Sequence, residues 1–303
     1  MAEKQSKAPE AAATVNWLDP FWGDSDYEEA PAEVGKLPPR ASTAKPILRK
    51  QTAPDLSGRK KIWELIGEGN AGKTLLARWM GGEMLAHNML DTTVLAALAP
   101  GNRNLTRFFQ TVMQPDTSDP RATAIWAQKA LLGIAKRQLN GIFDYGGGDA
   151  SKALLIEAMP SIVETLEQQG VALIAAYLLT PRTEDLVYLR TFEEMGFQPR
   201  ATALILNLST GADDPSVFSA IRNHPVYKAA LDRGAVELWM PALDRRLSLL
   251  IERNLLHFRQ ARDGVVPEGL HAPVLGMVDR LPVRDWLLQM DEAFSPVRSW
   301  LPW

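Results

Sequence analysis

The segment Gly67-Glu68-Gly69-Asn70-Ala71-Gly72-Lys73-Thr74 has the spacing G-x-x-x-x-G-K-T, and each fixed position has a chemical reason. Glycine lets the backbone curl so that successive N–H groups converge on phosphate oxygens. A helix opening at Lys73 and running on through Leu75 adds the positive end of its dipole at the same point. The Lys73 ammonium suits β- and γ-phosphates, and the Thr74 hydroxyl is a ligand for Mg²⁺. A second constellation, Gly141-Ile142-Phe143-Asp144-Tyr145-Gly146-Gly147-Gly148-Asp149, reads as an apolar strand ending in a carboxylate. Asp144 in that place holds Mg²⁺ through water, and the glycines around Gly147 let backbone approach a γ-phosphate. Taken alone, the same stretch is also a strand-to-helix loop capped by Asp144 or Asp149. Beside the first segment it predicts a nucleoside-triphosphate site with Mg²⁺. Lys73 and Asp144 are then its catalytic candidates, and Thr74 and Asp144 its metal ligands.

Such groups need a rigid frame. Short apolar runs at 61–66, 93–99, 141–144, 171–179, 203–207 and 236–240 read as strands. Amphipathic stretches at 73–89, 151–168, 183–195, 216–233 and 245–262 read as helices between them. Alternation of this kind predicts an α/β fold: a doubly wound, mainly parallel sheet with helices on both faces. Gly170, Gly196 and Gly234 stand where helix C-caps are expected.

The order of these parts resembles the ParA/MinD group of P-loop ATPases over about residues 61–262. Leu98-Ala99-Pro100-Gly101-Asn102-Arg103-Asn104-Leu105-Thr106 is similar to that group's switch I. Pro181 and Asp185-Leu186-Val187-Tyr188-Leu189 follow 171–179 as in the group. Ala203-Leu204-Ile205-Leu206-Asn207 looks like the strand whose terminal Asn reads adenine. Val236-Glu237-Leu238-Trp239-Met240-Pro241 resembles the strand closing the base pocket. The resemblance implies nucleotide contacts at Asn207 and Pro241, an ATP-dependent homodimer, and a role like that of plasmid partition, conjugative-transfer or mobilisation ATPases of the TraL and StbB kind.

Two positions depart from the group. Its second loop residue is a lysine that reaches the partner's phosphates; here Glu68 would repel them. Its switch I acid, which orients the attacking water, is Ala99, and Ala97 replaces a second acid. Without a positioning group hydrolysis slows by orders of magnitude. The expectation is therefore nucleotide binding with slow or partner-dependent hydrolysis, Arg103, Asp144 and Asp149 being the nearby compensating candidates. A non-hydrolysing scaffold and a P-loop kinase or ligase are the rival readings.

Residues 1–60 differ in composition from 61–303. Prolines at 9, 20, 31, 38, 39, 46 and 54 and a poverty of apolar residues predict a disordered arm. Within it Trp17-Leu18-Asp19-Pro20-Phe21-Trp22 and the following acids suit a partner protein, and the basic stretch 36–61 suits an acidic surface. The late helix carries Arg245, Arg246, Arg253, Arg259 and Arg262, mainly a solvated face and the place where such ATPases contact DNA non-specifically. Trp286, Met290 and Phe294 share one helical face of a C-terminal tail. Acids at 285, 291 and 292 make that tail a poor match for anionic lipid and favour packing on the domain.

The whole chain has 303 residues, 33 basic against 36 acidic, so net charge offers no argument for nucleic acid. The absence of cysteine excludes disulfides, thiolate metal sites and cysteine nucleophiles. The four histidines lack metal spacing, and no serine sits in a G-x-S-x-G setting. With no apolar run of ~20 residues and no apolar segment behind Met1, the expectation is a cytoplasmic protein.

Overall fold

The computed structural model describes residues 52–98, 105–147, 150–211 and 214–303. Its first half runs β1 (Lys60–Ile66), α1 (Lys73–Ala86), β2 (Thr93–Ala97), α2 (Pro120–Arg137), β3 (Asn140–Asp144), α3 (Ala150–Ala158), α4 (Ile162–Gln168) and β4 (Val171–Leu179). The second half runs α5 (Leu186–Glu194), β5 (Ala201–Asn207), α6 (Ser219–Asn223), α7 (Pro225–Asp232), β6 (Val236–Met240), α8 (Arg245–Arg253), α9 (Phe258–Asp263) and α10 (Met277–Ala293). The strands form one six-stranded sheet in the order β2-β3-β1-β4-β5-β6, each neighbouring pair parallel. This is a doubly wound α/β architecture, with β1 and the loop that follows it near the centre.

All six strands form where the apolar runs lie. The long helical stretches are more broken than their periodicity suggests. Pro160 separates α3 from α4, and Pro225 opens α7 after a break at His224. A proline lacks the N–H that a helix interior needs and pushes the residue before it out of helical geometry. Helix α2 lies where apolar spacing gives no element. Its boundary signals are nonetheless in the sequence: Asp119 caps the Ala122 N–H, Pro120 takes the first position, and Lys136 and Arg137 close the last turn.

Two apolar cores flank the sheet. On one side β1 sends Trp63 and Leu65 against α1, α8, α9 and α10; on the other Ile62 and Ile66 face α2 to α7. The C-terminal aromatic face packs into the first core, as its spacing implies. Trp286, Met290, Phe294 and Trp300 are all buried there. Three indoles of this core are also satisfied: Trp63 Nε1 donates to the Trp300 carbonyl (2.9 Å), Trp300 Nε1 to that of Pro54 (2.7 Å), and Trp286 Nε1 to that of Pro241 (3.0 Å). Buried Trp79 Nε1, by contrast, has no hydrogen-bond partner among the described residues. Residues 54–60, assigned to the arm by composition, join this packing through buried Leu56, whose N–H donates to Ser299 Oγ. The aromatic cluster at 17–22 and the basic stretch from 36 to 51 lie outside the described residues. No described helix is long and apolar enough to cross a membrane.

Candidate functional site

Strand β1 delivers the chain to Gly67 at the C-terminal end of the sheet, and the next residues curl into the start of α1. Gly67 has φ 148°, and a Cβ there would fall 2.5 Å from the Leu178 carbonyl oxygen. Gly72 has φ 100°, and its Cβ would fall 2.3 Å from Asn207 Nδ2. Both glycines are thus fixed by backbone shape and by close approach of neighbouring strands. Lys73 is buried and bends back along the loop, its Nζ donating to the carbonyls of Gly67 and Glu68 at 2.7 Å each. Leu75, also expected in the cradle, packs its side chain against the α1-side core, which leaves its place at the start of α1 unchanged.

Strand β3 places Asp144 beside this loop, in register with Leu65 of β1. The Thr74 hydroxyl donates to Asp144 Oδ2 at 2.7 Å. Asp144 is almost fully buried, and its pKa is pushed up to about 6, first by desolvation, with Thr74 and Lys73 pulling the other way. Its Oδ1 is buried without a hydrogen-bond partner. An orphaned carboxylate oxygen beside a threonine hydroxyl fits a hard cation. Among the described residues no cluster of three or more acids and histidines exists to cage one. That donor set suits Mg²⁺, which is held by one or two carboxylates and completed by phosphate oxygens and water.

Gly147 closes the site from the Asp144 side. A Cβ at this position would lie 2.4 Å from the Gly69 nitrogen, so the two loops touch backbone to backbone. Asp149, Ala99 and Arg103 lie outside the described residues.

Glu68 is not turned into the cradle. Its Oε1 accepts the Tyr188 hydroxyl of α5 at 2.7 Å, and it lines a cavity of about 390 Å³ with Thr183, Glu184, Arg190 and His224. Asn207, at the end of β5, donates its Nδ2 to the Ala71 carbonyl at 2.8 Å, while its Oδ1 accepts from the Ser209 N–H and hydroxyl. Both ends of the amide are engaged within the protein, and its visible part is to shape the loop. Pro241 follows β6, and its neighbour Met240 lies beside Gly72. Asn207, Met240 and the loop therefore meet at one end of the sheet, as the motif order requires.

Among the late arginines, Arg246 pairs with Asp279, Arg259 with Glu83, and Arg262 with Asp263. Arg245 and Arg253 form no ion pair among the described residues. Sequence reasoning missed three contributors: Tyr188, buried Glu64 in β1, and Lys152 in α3. Glu64 carried a signal, as a lone acid in the apolar run Ile62-Trp63-Glu64-Leu65-Ile66. Tyr188 and Lys152 carried none, since their partners are distant in the chain.

No family model matches the chain, and no curated protein matches its sequence. Among solved structures it is similar to the cell division protein FtsY from Thermotoga maritima, at 15% identity and a TM-score of 0.40. That likeness covers 64% of this chain and spans 65% of the length of FtsY. The fold rests on the strand order and loop geometry above, independently of this likeness.

Proposed function

We propose that the chain is an ATP·Mg²⁺-binding nucleotide switch of the ParA/MinD kind, with slow or partner-dependent hydrolysis. The observation that carries this reading is the Thr74–Asp144 contact with its unpartnered Oδ1, set at the foot of a G-x-x-x-x-G-K-T loop. Backbone N–H groups of 67–74 and the start of α1 would receive the phosphates, and Lys73 would exchange its carbonyl contacts for phosphate oxygens. Thr74 and Asp144 would hold Mg²⁺, which neutralises phosphate charge when bound. Gly147 brings a second backbone to the loop.

The finer part of the proposal is a dimer formed with ATP and a role in plasmid partition, conjugative transfer or mobilisation. Arg245 and Arg253, together with the 36–61 stretch, supply non-specific DNA contact. Pairing of Arg246, Arg259 and Arg262 with acids limits the charge that α8 and α9 can contribute.

Calorimetry with ATP, ADP and GTP, with and without Mg²⁺, tests the reading. Binding that needs Mg²⁺ and is lost in Lys73→Ala supports it; no binding of any nucleotide overturns it. Stimulation of hydrolysis by duplex DNA supports the switch. Tight ATP binding with no turnover under any condition favours the scaffold reading, for which Glu68, held by Tyr188 in place of a lysine, is the specific observation.

A further inference from the structure

Glu64 is fully buried in the central strand of the sheet, and both of its carboxylate oxygens are used. Oε1 accepts the Tyr145 hydroxyl at 3.0 Å, and Oε2 accepts the Lys152 ammonium at 2.6 Å. Lys152 is likewise fully buried, its ammonium 3.8 Å from the centre of the Phe197 ring. Stability alone is a poor reason for such a pair, because desolvating two charges costs about as much as their attraction returns. Location supplies a better one. Tyr145 directly follows Asp144, and Lys152 stands in the first turn of α3. One carboxylate on the strand that feeds the phosphate loop thus holds the chain on both sides of residues 146–149.

We propose that Glu64 is a positioning residue of the nucleotide site. Acting through Tyr145 and Lys152, it fixes the end of β3 and the start of α3 against β1. The Gly147 backbone is thereby kept in contact with Gly69, and that contact lets the site distinguish a nucleotide with a γ-phosphate from one without. The inference rests on the reading of 67–74 as a nucleotide loop. It adds that triphosphate preference is set from beneath the sheet surface, by a residue that touches no ligand.

Two variants test it. Tyr145→Phe removes one of the two contacts with little change in volume. Glu64→Gln combined with Lys152→Met removes both charges together, so that neither is left buried alone. Hydrogen exchange of peptides covering 145–158 is measured without nucleotide, and affinities for ADP and a non-hydrolysable ATP analogue are measured with Mg²⁺. In both variants the expected result is roughly tenfold faster exchange in this segment with little change in β4 and β5. The preference for triphosphate over diphosphate falls about tenfold at unchanged ADP affinity. Unaltered exchange, or equal weakening of both nucleotides, overturns the proposal and leaves Glu64 a structural residue. If the unsubstituted chain binds neither nucleotide, the nucleotide reading itself falls, and the exchange measurement still decides whether Glu64 orders the segment.

Discussion

The Tyr188 hydroxyl on α5 donates to the Glu68 carboxylate at 2.7 Å, so the acid at the second loop position is restrained by a neighbouring helix. Sequence alone suggests that Glu68 repels phosphate. The structure gives it a partner that turns it toward α5, which reconciles an acid in this loop with an anionic ligand. Freed, that charge would act on the phosphates at partly screened range, about 1 kcal/mol. Tyr188→Phe should therefore weaken ATP binding roughly three- to tenfold by calorimetry, and adding Glu68→Gln should restore it. Equal affinity in Tyr188→Phe and the unsubstituted protein would falsify this role.

Asp144 gives a stability prediction with a definite sign. Its folded pKa of about 6 lies above the ordinary carboxylate value of 3.8 kept by the unfolded chain, so the folded state holds the proton more tightly. Without metal, stability is greatest when the group is protonated and is lost as pH rises from about 4 through 6. The difference is worth ~3 kcal/mol at pH 8. Asp144→Asn should melt higher than the unsubstituted protein at pH 8, with the gap closing below pH 4, while Mg²⁺-dependent binding disappears. A constant gap across that range would argue against a buried, ionised Asp144.

Gly147→Ala should separate the two loops. The added methyl meets the Gly69 backbone at 2.4 Å, and neither partner is a side chain that can swing aside. Although Gly147 is exposed, the methyl can be accommodated only by moving backbone, so unfolding by denaturant should show a loss of about 1 kcal/mol. ATP affinity should fall by at least tenfold, and an ATP titration of the variant checks it.

Gly72→Ala should cost more. The residue is at φ 100°, and a methyl group would collide with Asn207 Nδ2 and Met240. Strain and displacement together predict a loss of about 1–3 kcal/mol in a urea melt, along with loss of nucleotide binding. Asn207→Ala, which frees the space but leaves the Ala71 carbonyl unpaired, should recover part of the stability in the double variant.

Much of this was legible in the chain. The strands announced themselves because parallel strands buried on both faces read as continuous apolar runs, as in Val171–Leu179. Lys73, Thr74 and Asp144 were legible because their chemistry fixes both residue type and local context. Helix breaks at Pro160 and Pro225 were written in the sequence but outvoted by periodicity. Tyr188 with Glu68, and Lys152 with Glu64, were beyond reach. Each pairing joins residues far apart in the chain, and only the packing of α3 and α5 on the sheet brings them together.

The bonds from Trp63 to Trp300 and from Trp300 to Pro54 close loops of 237 and 246 residues. Strand β1 at the centre of the sheet thus waits for the far end of the chain before its main aromatic contacts exist. Synthesis proceeds from the other end, and early segments ordinarily settle first. Here an unfinished product is left with the Trp63 indole unpartnered, and the strand that carries the phosphate loop is held by β3 and β4 without its aromatic cover. The aromatic clamp on the strand that carries the phosphate loop is therefore completed only when residue 300 has left the ribosome.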